Sequence, residues 1–85
     1  MEKLTKKLPD KPGVYIFRGQ KRSILYIGKA TSLRSRVQSY FRKDLMETRG
    51  PILVGMLEVA KTVDFMETDS VLEALILEAY LIKKH

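Results

Sequence analysis

The chain has 85 residues, a net charge of +6, 45% hydrophobic and 31% charged residues, and no cysteine. That is enough for one modest core and too little for two, and the balance is that of a folded soluble domain rather than a disordered chain. It excludes a disulfide framework and a thiolate metal site, as befits a reducing compartment, and no apolar run reaches the roughly 18 residues a membrane span needs.

The charge is unevenly placed. Residues 18–49 hold nine Lys or Arg against two acids, and residues 50–85 hold three against six. A basic first half suits a polyanion such as nucleic acid, with a merely solvated face as the plainer alternative. Met1 to Lys7 lacks the apolar core of a secretory signal. Leu8-Pro9-Asp10-Lys11-Pro12 is a stiff entry loop, because each proline fixes φ and keeps its predecessor extended. Gly13 to Arg18 reads as a strand, with Val14 and Ile16 on one side and Tyr15 and Phe17 on the other. Gly19 to Arg22 is the turn and Ser23 to Gly28 the returning strand of a β-hairpin. Both strands are apolar on both faces, which predicts a sheet covered on both sides.

Thr31 or Ser32 can cap a first helix, whose stripe carries Leu33, Val37, Tyr40 and Phe41 and leaves Arg34, Ser35, Gln38 and Arg42 outside. Lys43 to Gly50 reads as a polar loop. Pro51 fits the first turn of a second helix running to Ala60, and Thr62 to Thr68 alternates as a third strand. Ser70 and Glu73 have the spacing of a capping box opening a last helix towards His85. The order β-β-α-α-β-α predicts a single α/β (α+β) domain over residues 1–85, a small three-stranded antiparallel sheet flanked by three helices.

Glu78 is the residue that elementary physics singles out. At about 100° per residue, Val71, Ala74, Leu75, Leu81 and Ile82 lie within roughly 60° of it around the helix. An acid inside a packing stripe is costly unless paired or metal-bound, so two readings stand: an ion pair with a nearby Arg or Lys, or a cation ligand. Glu73 points the other way and serves the cap. Tyr15, Tyr26 and Tyr40 read either as core residues or as a cluster. A hairpin can bring Tyr15 and Tyr26 together, and Gly13 and Gly28 remove side chains that would crowd them. Lys29 and Arg36 add positive charge that would lower the pKa of a phenol in such a site, and Arg36 precedes Tyr40 by one helical turn. Arg34, Arg42, Lys43 and Arg49 suit backbone phosphates or a solvated face equally. Cys/His metal spacings, Gly-rich phosphate loops and Ser/His/Asp sets are absent, and His85, the only histidine, closes the chain.

Gly13-Val14-Tyr15 and, ten residues on, Tyr26-Ile27-Gly28 resemble the signature of the GIY-YIG endonucleases. The likeness runs from Leu8 onward through Lys29-Ala30, Leu33-Arg34-Ser35-Arg36-Val37, Ser39-Tyr40-Phe41 and Glu73 to His85, and is similar to the amino-terminal nuclease domain of the UvrC family of bacterial nucleotide excision repair. The resemblance implies a metal-dependent DNA endonuclease making the 3′-side incision at damaged DNA. It implies one divalent cation, Mg²⁺ or Mn²⁺, on Glu78, with site roles for Tyr15, Tyr26, Lys29, Arg36 and Tyr40. Water would attack the phosphorus in line, Tyr26 or Tyr15 taking its proton and Arg36 stabilising developing charge, with the cation supporting the leaving 3′ oxygen.

The implied partners are damaged double-stranded DNA and UvrB in a UvrB–DNA pre-incision complex, the latter met through parts of a longer protein outside this chain. The domain is expected to be cytoplasmic, monomeric and away from membranes, holding DNA weakly through Lys29, Arg34, Arg42 and Lys43. Two departures stand out. Tyr80 occupies a position where the family usually has asparagine, which reads as a surface or packing change. The family also continues into a Pro-x-Tyr-Asn segment whose asparagine helps form the site, whereas this chain stops at His85 and is expected to be a piece of a longer protein. A DNA-binding module without catalysis and a protein-interaction domain remain alternatives. A pure DNA binder has no need of an acid inside its packing stripe near a DNA site, since the acid repels phosphate.

Overall fold

The computed structural model describes residue 5 and residues 7–85. Strand β1 (Gly13–Arg18) turns through a short 3-10 segment, Gln20–Arg22, into β2 (Ile24–Ala30). Helix α1 (Leu33–Gln38) runs into a 3-10 turn at Ser39–Phe41, followed by α2 (Leu45–Arg49), α3 (Pro51–Val59), β3 (Thr62–Glu67) and α4 (Val71–Lys84). The three strands form one antiparallel sheet in the order β2-β1-β3, so β1 is central.

β1 is apolar on both faces because both are covered. Tyr15 and Phe17 pack with Leu33, Val37, Tyr40 and Leu45, while Val14 and Ile16 pack with Ala74 and Leu81 of α4. Full burial of a side chain of this size contributes about 1.5–3 kcal/mol, which makes the two faces of β1 the main source of stability. Of the nine basic residues between 18 and 49, two serve the sheet: Arg18 Nε and Arg22 Nη2 reach Asp64 Oδ2 of β3 at 2.7 and 3.1 Å.

The caps follow local chemistry. Ser32 Oγ accepts the Ser35 N–H at 3.2 Å and donates to Asp10 Oδ1 at 2.5 Å, pinning the start of α1 to the entry loop. The Leu33 and Arg34 N–H groups, at 2.9 and 3.2 Å from the Lys11 and Pro9 carbonyls, complete that junction. Ser70 Oγ accepts the Glu73 N–H at 3.1 Å at the head of α4.

The stretch expected as a loop, Lys43 to Gly50, contains the extra helix α2, so four helices rather than three flank the sheet. Leu45 is buried against the tyrosine-side core and draws this stretch into a turn and a half of helix. Among the described residues, no helix is long and apolar enough to cross a membrane.

Candidate active site

Register places the tyrosines. Tyr15 of β1 lies opposite Gly28 of β2, and Phe17 lies opposite Tyr26. Tyr15 and Tyr26 are therefore diagonal neighbours on one face, with ring centroids 6.3 Å apart. A Cβ on Gly28 would overlap the Tyr15 ring and hydroxyl, so glycine is what lets that ring lie across β2. Gly13 has a different job from the one expected. A Cβ there would meet the Met66 carbonyl of β3 and the Leu33 side chain, so it serves strand pairing and the seat of α1 rather than the tyrosines.

Tyr40, on the turn after α1, closes the cluster. Its hydroxyl is 2.8 Å from that of Tyr15, and its ring centroid is 5.8 Å from Tyr15 and 6.5 Å from Tyr26. Tyr15 and Tyr40 are 1% and 0% exposed, whereas Tyr26 is half-buried. Burial above all, then the hydrogen bond and charge of Tyr15, push the Tyr40 phenol far above its ordinary value, with Arg49 pulling the other way. Tyr40 thus moves opposite to the lowering expected of a site phenol, because desolvating a phenolate outweighs one cationic neighbour.

The acid and the lysine lie on the other face. Lys29 pairs with Val14 in register and so shares the α4 side of the sheet. Its Nζ is 3.7 Å from Glu78 Oε1, and the Glu78 side chain is only 18% exposed. The ion-pair alternative for Glu78 is therefore present, as a long contact to a flexible lysine. The stripe around Glu78 is narrower than expected: Ala74 and Leu81 are buried, but Val71, Leu75 and Ile82 are exposed. Glu78 sits at the margin of the packed face rather than in its middle.

Arg36 links the two sides. With Lys29, Ala30, Thr31, Ser32, Ser35, Ser39 and Val71 it lines a cavity of about 450 Å³ at the end of the hairpin. It also lines a cleft of about 210 Å³ with Ser39, Arg42, Asp44, Thr48 and Arg49. Two expected phosphate contacts lie outside both. Arg34 donates from Nε to the Leu8 carbonyl at 2.9 Å, and Lys43 is exposed. Arg42 Nε lies 3.3 Å from Asp44 Oδ1. Tyr80 is a surface residue, with Lys84 Nζ 5.8 Å above its ring.

The sequence offers Arg49 a phosphate contact or a solvated face, and the structure gives it a partner in the tyrosine cluster. Its Nη2 donates to the Tyr40 hydroxyl at 3.2 Å, and its guanidinium carbon stands 5.0 Å over the Tyr40 ring. No periodic signal connects these residues across a turn and a short helix. A signal did exist for the cavity wall: Ser32, Ser35 and Ser39 recur at helical spacing beside Arg36. Among the described residues no group of three or more His, Cys, Asp or Glu side chains could hold a metal.

Two hairpin tyrosines packed on a third after α1 thus stand on one face of the sheet, with an arginine on α1 and an acid on α4. The model of the UvrC-like GIY-YIG domain matches residues 11–85, and the chain belongs to that family. The UvrABC system protein C of Acetivibrio thermocellus is 48% identical over 80 residues, covering 94% of this chain and 12% of that protein. That of Cyanothece sp. is 48% identical over 85 residues, covering 100% of this chain and 13% of its own length. The chain thus spans about an eighth of the curated relatives it matches. The GIY-YIG N-terminal endonuclease domain of UvrC from Thermotoga maritima, solved bound to its catalytic magnesium, superposes with a TM-score of 0.78 at 34% identity. The match covers 99% of this chain and 92% of that one. A tyrosine-to-phenylalanine point mutant of the same domain, bound to the catalytic divalent cation, gives a TM-score of 0.79 at 36% identity.

Proposed function

We propose that this chain is the nuclease domain of a UvrC-type excision-repair protein and hydrolyses a DNA phosphodiester with one divalent cation, Mg²⁺ or Mn²⁺, held by Glu78. The observation that carries this reading is the position of Lys29, which touches Glu78 on one side and shares a cavity wall with Arg36 on the other. The donor chemistry fits a hard cation, which binds through one or two carboxylates and keeps water and substrate phosphate as its other ligands. Tyrosine-to-phenylalanine mutants of the Thermotoga domain are bound to the catalytic cation, which supports an acid rather than a phenol as the anchor.

Each residue then has a task. When bound, the cation supplies charge stabilisation at the leaving 3′ oxygen. Arg36 is exposed and has no ion-pair or hydrogen-bond partner for its side chain among the described residues, which leaves it free to meet the charge developing on the phosphate. Tyr26 is the phenol assigned to take the proton of water. Tyr15 and Tyr40 are buried and engaged with each other, whereas Tyr26 is partly open. Lys29, Arg42 and Lys43 hold backbone phosphates, with Arg34 assisting from the side of the entry loop. The substrate is damaged double-stranded DNA presented by UvrB, cut on the 3′ side of the lesion in the cytoplasm, with the domain acting as one copy within a longer protein.

A second reading, a basic DNA-binding module in which Glu78 merely partners Lys29, draws on the 3.7 Å contact between them. A Mn²⁺ titration followed by electron paramagnetic resonance separates the two. Binding that disappears in Glu78→Gln supports the nuclease. Binding that persists undiminished in Glu78→Gln gives the cation to other groups and removes the proposal. Incision is then tested by grafting the chain in place of the matching segment of the Cyanothece protein, with Glu78→Ala in the graft as the inactive control.

A further inference from the structure

Arg36 and Ser39 stand on a wall shared by two cavities. On one side lies the cavity that also contains Lys29. On the other lies the smaller cleft between the end of α1 and α2, about 210 Å³ in volume, whose remaining walls are Arg42, Asp44, Thr48 and Arg49. Three guanidinium groups there face one carboxylate, and that carboxylate is held by Arg42 at 3.3 Å. Arg36 has no side-chain partner among the described residues. Arg49 is half-buried, stacked on the Tyr40 ring and fixed by one Nη2 hydrogen bond at 3.2 Å.

Arginine presents five N–H donors in a planar fork, and Tyr40 takes only one of those on Arg49. A fork already stacked on a ring loses little side-chain entropy when it binds, which suits bidentate recognition of a phosphate. The cleft is therefore basic and partly preorganised, and it shares Arg36 and Ser39 with the cavity that contains Lys29. A DNA strand whose scissile phosphate meets Arg36 from the first cavity would carry its neighbouring phosphate across that wall.

We infer that this cleft is a second phosphate subsite, which seats the DNA backbone phosphate adjacent to the scissile one between Arg36, Arg42 and Arg49. The subsite rests on the nuclease reading for its register with the scissile bond, but its binding of a phosphodiester backbone is measurable without catalysis. It also gives α2 a purpose: the short helix carries Thr48 and Arg49 to the wall of the cleft while Leu45 anchors it in the core.

Thr48 offers the cleanest test because it lines the cleft without touching the tyrosines. Among the described residues its hydroxyl bonds only to the Asp44 and Leu45 carbonyls of its own turn, at 3.1 and 3.5 Å. Thr48→Glu places a carboxylate in the cleft, and Thr48→Gln is its neutral match in shape; both are good helix formers. Binding of a short fluorescein-labelled DNA duplex to the 85-residue chain is measured by anisotropy across a salt series. Relative to Thr48→Gln, Thr48→Glu should weaken binding about tenfold and reduce the salt slope by about 0.9, the share of one phosphate contact. Arg49→Lys, which keeps the charge and loses the fork, should weaken binding while leaving most of that slope. Equal affinity and equal slope for the Glu and Gln variants would overturn the subsite. Mn²⁺ affinity, read on the same samples, should be unaffected in all three. Loss of the metal reading leaves the subsite standing, and loss of the DNA effect leaves the metal reading standing.

Discussion

The Tyr15 hydroxyl lies 2.8 Å from the Tyr40 hydroxyl across 25 residues of chain, joining the central strand to the turn after α1. Each phenol supplies the other with a partner, and among the described residues no buried side-chain polar atom is left unsatisfied. The pair forms a buried wall against which the half-open Tyr26 rests, so the accessible phenol is backed by two that water does not reach.

That wall makes a prediction in alkali. The folded-state pKa of Tyr40 is raised, by burial first and then by Tyr15. Its contribution to stability is therefore fully present below the unfolded phenol value of about 10, and is lost as pH rises beyond it. Urea unfolding above about pH 10 should show stability falling by about 1.4 kcal/mol per pH unit on account of this one group. Tyr40→Phe should flatten that share of the decline while costing roughly 1–3 kcal/mol at neutral pH, because Tyr15 is left buried without a partner. Parallel declines in the two proteins would mean that Tyr40 titrates as though exposed.

Lys29 competes with the cation proposed for Glu78. The contact is long and the lysine side chain is 47% exposed, which puts the pair in the class worth about 0.2–1 kcal/mol. Lys29→Ala should therefore tighten Mn²⁺ binding by about two- to fivefold in the absence of DNA. It should also weaken DNA binding, since a phosphate contact goes with it. Calorimetry on the isolated chain gives the first quantity and anisotropy the second. Metal binding weakened by this substitution would make Lys29 a support of the cation site rather than its rival.

Much of this was legible in the sequence, for local reasons. Val14 and Ile16 alternate with Tyr15 and Phe17, so two covered faces could be read from one strand. Ser32 and Ser70 announce their helices through their own side chains. The position of Tyr26 relative to Lys29 was also available: residues three apart on a strand point to opposite faces. The tyrosines lie on one face of the sheet, whereas Lys29 and Glu78 lie on the other. α2 was hidden because its five residues are too few for a helical period to register. Arg49 was hidden with it, as its link to Tyr40 depends on Leu45 being drawn into the core.

The three tyrosines should separate under phenylalanine substitution. Tyr26→Phe removes an accessible hydroxyl and should leave thermal stability unchanged while reducing 3′ incision by the grafted protein about a hundredfold or more, the scale of losing a positioned general base. Tyr40→Phe should lower stability, because it strands the buried Tyr15 hydroxyl, whereas Tyr15→Phe should lower it less, because Arg49 still donates to the Tyr40 hydroxyl. Both should reduce incision less than Tyr26→Phe. Incision that survives Tyr26→Phe and vanishes in Tyr15→Phe, with both proteins folded, would transfer the proton acceptor to Tyr15.

Gly28 tests how the cluster is built, without touching any polar atom. A Cβ at this position would overlap the Tyr15 ring and hydroxyl, which lie directly across β2. Tyr15 cannot retreat easily, because its ring also packs edge-on against Phe17 at 5.8 Å and its hydroxyl is tied to Tyr40. Gly28→Ala should therefore cost about 1–3 kcal/mol through overpacking, despite the better backbone entropy of alanine. The damage should be local: Mn²⁺ binding on the far face of the sheet should persist. Tyrosine fluorescence and near-ultraviolet circular dichroism should change as the Tyr15 ring is displaced. The double substitution Gly28→Ala with Tyr15→Leu, which trims the ring the new methyl strikes, should recover part of the lost stability. A Gly28→Ala protein as stable as the parent, with an unchanged aromatic spectrum, would show that β2 has room to move away from Tyr15.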